Sequence, residues 1–357
     1  MGLLFIVYST GRCNLGCRYC GGSFDPGVVP WSVRYGLEAL ESIVGPEDVV
    51  AFYGGEPLLN LEFIREATRR LRAGKFVLQT NGLLLRMLDQ ELLSRFDTIL
   101  VSIDGVGWLT DKYRGRRIYG KILRSVEYIR GRYKGDLVAR MTVTEDSDIY
   151  RDVRHLLDLG LFDHVHWQLS LVWVERDSWR DLWGWLENSY FPGLKRLLKD
   201  WINSMRRGRV EGIAPFQGIL KRIIEGGPTP PCGSGEDSFT ILPDGRVVSC
   251  PIAVREEWAN VGRLPMKRED LSNYKPLIGE PCKSCSYLNV CGGRCLYTHI
   301  ERYWGEEGVK VICAASQFII DLIGEALPEI MELVEKGAVS LQNLIYPPYN
   351  NTVEIMP

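Results

Sequence analysis

Ten cysteines fall into two groups along this chain, and the spacing inside each group limits the chemistry available. Cys13, Cys17 and Cys20 lie on one short stretch, Cys13-Asn-Leu-Gly-Cys17-Arg-Tyr-Cys20. The other seven, Cys232, Cys250, Cys282, Cys285, Cys291, Cys295 and Cys313, all lie beyond residue 231. Thiols grouped this way, in a chain without an export signal, point to metal or iron–sulfur ligation in a reducing compartment rather than to a disulfide scaffold. Spacings of four and three residues turn three sulfurs to one side of a tight loop. Three thiolates cannot close a tetrahedral zinc site alone, but they can hold three irons of a cubane and leave the fourth iron open to a ligand. In the second group, Cys282-x2-Cys285 and Cys291-x3-Cys295 suit structural zinc on spacing alone. Seven thiols are one short of two complete four-thiolate sites.

Those thiols need elements to carry them. The first 172 residues alternate short apolar runs, expected as strands over 3–8, 48–53, 76–79, 98–103, 138–143 and 164–171, with amphipathic stretches, expected as helices over 33–44, 61–71, 87–96, 119–130 and 150–158. Six such alternations imply an α/β fold, a parallel sheet with helices outside. They are too few for an eight-fold barrel, so a partial (β/α)6 barrel over residues 1–172 is expected, with its ligand at the C-terminal ends of the strands. Residues 173–231 read as a tryptophan-rich helical bridge (Trp173, Trp179, Trp183, Trp185, Trp201) and a Pro/Gly linker. Residues 232–315 read as a small Cys-rich module that opens with a hairpin around Asp244-Gly245. Such a loop-rich unit buries little apolar area and needs a staple. Residues 316–357 finish with a helix, roughly 314–335 in all, and an irregular tail over 346–357 whose Asn350-Asn351-Thr352 sequon carries no weight without export.

Composition closes off other classes. The chain has 357 residues, 45% hydrophobic and 25% charged, which excludes a disordered chain and fits about two domains. Lysine and arginine number 43 against 45 acidic residues, so the net charge of −2 gives no long-range pull toward nucleic acid or an anionic membrane. No run of 18 apolar residues is evident, so no bilayer-spanning helix is expected.

The CxxxCxxC spacing, with Tyr19 just before the last cysteine, resembles the cluster motif of the radical S-adenosylmethionine (radical SAM) superfamily, and further motifs of that family follow in order at the expected strand ends. Gly54-Gly55-Glu56-Pro57 follows the second strand, and the resemblance makes it the loop that takes the amino group of SAM. Thr80-Asn81-Gly82 follows the third. Ser102-Ile-Asp104-Gly105 ends the fourth, with Ser102 placed near the SAM carboxylate or ribose and Asp104 beside it. Arg114, twelve residues after Ser102, resembles the arginine that grips the SAM carboxylate, a task its planar fork suits. Gln168 on the sixth strand stands where relatives line the adenine pocket, and Tyr19 is expected to shield the adenine. Each motif alone is only a turn, a cap or a surface charge; their order behind CxxxCxxC gives the resemblance its force.

The second group, including the glycine five residues before Cys250, resembles the SPASM module of these enzymes, which holds two auxiliary 4Fe–4S clusters. Carried over by position, Cys232, Cys250 and Cys295 hold the nearer one and Cys282, Cys285, Cys291 and Cys313 the farther. The nearer site then has three cysteines; Glu236, Asp237, Asp244, water or substrate could complete it. The resemblance implies reductive cleavage of SAM to a 5′-deoxyadenosyl radical, with a ferredoxin- or flavodoxin-like donor and a peptide or protein substrate containing cysteine. The expected outcome is a thioether or carbon–carbon crosslink or a similar maturation. Formylglycine formation is less expected, because sulfatase-maturase relatives carry a basic aspartate right after the matching cysteine and this chain has Pro251. Oxidation of a tetrapyrrole, or a non-enzymatic iron–sulfur or zinc-stapled carrier, are the other readings. The chain begins at its first strand, so no leader-peptide domain is expected before it. No general base is assigned; His164 and His166 could face the barrel interior, while His155, His299, Tyr297 and Asp237 give no signal of reach. An anaerobe's cytoplasm is the expected setting.

Overall fold

A computed structural model describes residues 2–171, 178–276, 278–302, 304–347, 356 and 357. Trp173 and the Asn350-Asn351-Thr352 sequon lie outside the described residues. Six parallel strands form the expected frame: β1 (Leu4–Thr10), β2 (Val49–Gly54), β3 (Lys75–Thr80), β4 (Thr98–Ser102), β5 (Asp136–Val143) and β6 (His164–Leu169). Between them run α1 (Leu37–Glu41), α2 (Leu61–Arg70), α3 (Gln90–Leu93), α4 (Gly107–Arg114), α5 (Ile118–Arg130) and α6 (Ile149–Asp158). Alternate strand residues serve two cores. Leu4, Ile6, Val49, Ala51, Val77, Leu100 and Val138 pack on the inner face, while Phe5, Val7, Val50, Phe52, Leu78, Ile99 and Val101 meet the helices. Burial on both faces explains the nearly unbroken apolar runs.

Two expected helices are shorter than their sequence patterns. The 33–44 stretch is helical only over Leu37–Glu41, because the chain before it is held elsewhere by Arg34 N–H donating to the Pro243 carbonyl at 2.7 Å. The 87–96 stretch keeps only α3: the Asp89 carboxylate caps it by accepting from Leu92 N–H at 2.9 Å, which fixes its start three residues late.

After β6, α7 (Leu182–Trp185), α8 (Phe191–Arg206) and α9 (Ala214–Glu225) form the helical bridge, with Trp201 and Trp167 both packed edge-on to Phe216. The hairpin forms as expected from β7 (Ser238–Ile241) and β8 (Arg246–Val248), with β9 (Asn260–Arg263) beside β8. Where it docks is not legible from its residues. β7 pairs in parallel with β1, Leu4 to Val7 against Ser238 to Ile241, so one sheet runs in the order β6-β5-β4-β3-β2-β1-β7-β8-β9. The Cys-rich segment therefore shares the barrel's sheet. Short α10 (Leu288–Cys291) and α11 (Leu296–Glu301) follow, then α12 (Gly305–Glu335), which begins nine residues earlier than its apolar stripe predicted. α12 also corrects the expectation that no segment suits a membrane: its length and a mean hydropathy of 1.5 over 18 residues pass that test. Ile312, Ile319, Ile320 and Ile323 on α12 are buried, and the helix packs on α8 and α9.

Candidate functional site

The three N-terminal thiols sit on the loop that leaves β1, at its C-terminal end. Cys13 is half-buried, Cys17 buried and Cys20 exposed. The loop is tightly wound: the N–H groups of Cys20 and Gly21 both donate to the Cys17 carbonyl, and Gly22, at φ 94°, leaves no room for a side chain because a Cβ would stand 2.3 Å from the Leu15 carbonyl oxygen. Cys17 and Cys20 are hydrogen-bonded to each other. The hydrogen bond from Cys17 pulls the Cys20 thiol down to about 6, while the same bond and burial hold Cys17 protonated. Burial pushes Cys13 up.

Two glycines press the next loop onto this one. A Cβ on Gly54 would lie 2.2 Å from the Thr10 carbonyl oxygen and one on Gly55 2.3 Å from that of Arg12. The closeness is used: Gly55 N–H donates to Thr10 at 3.0 Å and Glu56 N–H to Arg12 at 2.8 Å. Glu56 is fully buried and its carboxylate faces the third loop, accepting from Thr80 Oγ1 at 2.8 Å, Asn81 N–H at 2.7 Å and Leu58 N–H at 3.1 Å. Of the two roles expected for it, the structure gives Glu56 the orienting one. Burial, opposed by those three donors, pushes it up to about 7. Pro57 is buried, and its carbonyl accepts from Ser9 Oγ at 3.1 Å. Asn81 Nδ2 donates to Asn14 Oδ1 at 2.7 Å, so the Thr80-Asn81-Gly82 turn reaches back to the cysteine loop.

The fourth loop closes on the same place. The carboxylate that Arg114 grips is Asp104: Nε and Nη2 donate to Oδ2 and Oδ1 at 2.8 and 2.7 Å, with both side chains buried. Asp104 also accepts from Tyr19 Oη at 2.9 Å and Thr142 N–H at 3.0 Å. The Arg114 guanidinium lies 5.4 Å from the Tyr19 ring centre, and the Tyr113 ring stacks with that of Tyr19 at 5.9 Å. Arg114 and Asp104 thereby position Tyr19, and through it the loop between Cys17 and Cys20. Ser102 is half-buried on β4 opposite Arg140 of β5, and Gln168 accepts from Arg140 Nη2 at 2.6 Å.

These loops are the ones expected at the open ends of the strands, brought together around three thiols. The profile of the Radical SAM superfamily matches residues 7–159, the span from β1 to α6. The chain carries a radical SAM domain. The cysteine-type anaerobic sulfatase-maturating enzyme of Clostridium perfringens is 26% identical over 332 residues, covering 82% of this chain and 88% of that enzyme. The mycofactocin maturase MftC of Mycobacterium ulcerans is 24% identical over 322 residues, covering 80% and 81%. Among solved structures, anSMEcpe with bound AdoMet and the Cp18Cys peptide superposes with a TM-score of 0.68 at 21% identity, over 93% of this chain and 99% of that one, a likeness of fold. This chain is an enzyme built on a radical SAM domain, and over four fifths of its length it is similar to a sulfatase-maturating enzyme and a mycofactocin maturase.

Beyond the radical SAM domain, the remaining thiols separate into neighbourhoods. Cys250 lies in the inner-face core with Tyr8, whose Oη donates to the Pro251 carbonyl at 2.7 Å. Burial and the neighbouring Cys295 push Cys250 up to about 12. Burial, opposed by Arg294 and aided by Cys313, Cys282 and Cys285, pushes Cys291 up to about 12 as well. Cys232 is half-buried beside Arg222. Of the acids considered as a further ligand, Asp244 is committed to Arg246 at 2.8 Å and Glu236 is exposed. Three histidines have partners of their own: His155 with Tyr119, His164 with Asp136, and His299 with Gly279 N–H. His166 is buried on β6.

The donor set fits the group that a radical SAM domain implies, a 4Fe–4S cluster with SAM. Three soft donors share one loop, one of them easily ionised. Among the described residues, no three Cys, His, Asp or Glu side chains converge tightly enough to enclose a single ion. Sequence reasoning missed Tyr53. It packs 5.2 Å from Tyr8, and burial pushes its phenol up, with Cys20 and Cys250 both adding to the effect, so it stands near both thiol neighbourhoods. The alternation of β2, with Val49 and Ala51 facing inward, is the signal that places Tyr53 inside.

Proposed function

We propose that this enzyme oxidises a side chain of a peptide or protein, with Cys13, Cys17 and Cys20 as ligands of the SAM-binding cluster and the seven C-terminal cysteines as ligands of two auxiliary clusters. Cys232, Cys250 and Cys295 form one set; Cys282, Cys285, Cys291 and Cys313 form the other. The grouping of Cys250 with Cys295, and of Cys291 with Cys282, Cys285 and Cys313, supports this division. Bound at the first loop, the cluster and SAM supply a 5′-deoxyadenosyl radical for hydrogen abstraction. The chain's part is positional. Gly54 and Gly55 bring backbone close to the methionyl end of SAM, Glu56 and Pro57 fix that loop, and Asp104 with Arg114 holds Tyr19 over the thiols. On this reading Ser102 and Gln168 contact SAM from β4 and β6.

The observation that carries the reading is the set of three thiols on a loop that the Gly54-Gly55-Glu56 segment zips to β1 by two backbone bonds. A peptide substrate is favoured by the relatives, a sulfatase-maturating enzyme and a mycofactocin maturase. Formylglycine formation is the second reading, favoured by the first of them. Against it stands Pro251, which has no proton-accepting side chain and whose carbonyl is taken by Tyr8. An acidic ferredoxin or flavodoxin serves as donor, and the oxygen sensitivity of such clusters suits an anaerobe's cytoplasm.

The test is anaerobic reconstitution with iron and sulfide, followed by dithionite and SAM. 5′-Deoxyadenosine is expected from the wild type, stimulated by a Cys-containing peptide, and none from Cys17→Ala. A wild-type protein that holds zinc and yields no 5′-deoxyadenosine overturns the proposal.

A further inference from the structure

Arg222 is an arginine without an evident reason to be where it is. It lies on α9, is 2% exposed, and among the described residues the titratable groups that act on it are the thiols of Cys291 and Cys232. No carboxylate pairs with it among the described residues, and its Nη1 has no hydrogen-bond partner. Its remaining donors cap α10: Nε donates to the Val290 carbonyl and Nη2 to that of Asn289 at 3.4 Å, just before Cys291. Two glycines make room for the guanidinium. A Cβ on Gly227 would stand 2.3 Å from Nη1 and one on Gly292, the residue after Cys291, 2.7 Å from Nη2. A buried cation with no counter-ion costs several kcal/mol, and two carbonyl dipoles offset only part of that. Built cradles of this kind are kept where an anion meets them.

We propose that Arg222 is the fixed counter-ion of the C-terminal iron–sulfur site, set between the two thiol groups to raise the potential of the cluster or clusters it faces. This rests on the auxiliary-cluster reading above. Cys232 belongs to one set and Cys291 to the other, so a single guanidinium touches the field of both. A four-thiolate cubane is anionic in either state and more so when reduced, so a buried cation beside it favours the reduced form; net charge and hydrogen bonds to sulfur are the levers that set such potentials. Arg294, 4% exposed beside Cys291 and Cys313, adds a second cation, but its Nε is engaged by the Pro357 carbonyl at 3.0 Å.

The experiment isolates these clusters in the full chain by replacing Cys13, Cys17 and Cys20 with alanine, then follows iron content and an EPR-monitored redox titration. In that background Arg222→Gln is expected to bind the same iron but to be about tenfold less reduced at the potential where the parent is half reduced, a shift of about −59 mV for one electron. Arg222→Lys, which keeps the charge and loses the fork, is expected to stay near the parent. Unchanged potentials in Arg222→Gln with iron intact overturn the proposal and leave the cluster reading standing. If Arg222→Gln loses iron, Arg222→Lys decides: iron and potential restored supports a role for charge, while iron lost again overturns it in favour of a purely structural cap. A parent that binds no iron overturns both.

Discussion

Asp104→Ala tests whether the buried pair beside the cysteine loop is structural. The pair is 1% exposed at Asp104 and 6% at Arg114, with two charged hydrogen bonds of 2.8 and 2.7 Å. Removing the carboxylate strands a buried guanidinium, and breaking a buried pair from one side typically costs about 3–5 kcal/mol. Thr142 N–H and Tyr19 Oη lose their acceptor in the same step. Against a typical domain stability of about 5–15 kcal/mol, the loss is large. Asp104→Leu with Arg114→Met removes both charges and is expected to recover most of it, because apolar replacement of a buried pair is often close to neutral. The assay is urea unfolding of the metal-free protein under anaerobic conditions, read as a double-mutant cycle. Single variants that each cost less than about 1 kcal/mol, or whose costs simply add, would refute the claim that this pair positions Tyr19. The double variant should fold yet hold iron poorly in the first loop, since Tyr19 is no longer anchored.

Other predictions are shorter. Glu56 has a folded value raised from 4.5 to about 7, so its contribution to stability is complete below about 4.5 and is lost as pH rises through 7. Wild-type stability should fall by about 3 kcal/mol more than that of Glu56→Gln between pH 4.5 and 8, measured by denaturant titration; parallel curves count against this. Gly55→Ala should abolish iron binding by the first loop, because its Cβ would meet the Arg12 carbonyl oxygen at 2.3 Å, a backbone atom that cannot swing aside; full iron occupancy in that variant contradicts the close approach. Asp244→Asn should leave total iron unchanged, since its carboxylate is spent on Arg246, and a loss of one cluster's iron would make it a ligand after all. Trp201→Ala, fully buried against Phe216, should cost about 3–5 kcal/mol without altering thiol reactivity toward a maleimide in the unloaded protein.

Much of the frame was legible because parallel strands buried on both faces leave long apolar runs that periodicity detects. All six strands of the first half were expected within about two residues at most ends, the usual looseness of element boundaries. Cysteines were the strongest signal, since soft ligands at short spacings have few other uses in a chain of this length. What stayed hidden were relations between distant segments. Nothing in Phe239-Thr240-Ile241 states that this run pairs with β1, because strand propensity is the same whichever edge receives it. The partner of Arg114 stayed hidden for a related reason. A guanidinium fork suits any carboxylate, and sequence cannot tell a ligand's from that of Asp104 ten residues earlier.

The joined sheet also bears on how the two thiol regions could work together. Because β7 hydrogen-bonds to β1, the strand that carries the first cysteine loop is also the strand to which the C-terminal region is attached. Tyr8, on that strand, touches Pro251 beside Cys250 through its hydroxyl and Tyr53 through its ring, while Tyr53 lies in the field of both Cys20 and Cys250. The distance between the two thiol regions is therefore set by one short piece of paired backbone and two packed aromatic rings, not by a linker. Close-packed elements of that kind resist independent motion. On the proposed reading, selection among substrates would then fall to side chains that stand near both regions, such as Tyr53, more than to movement of one region against the other.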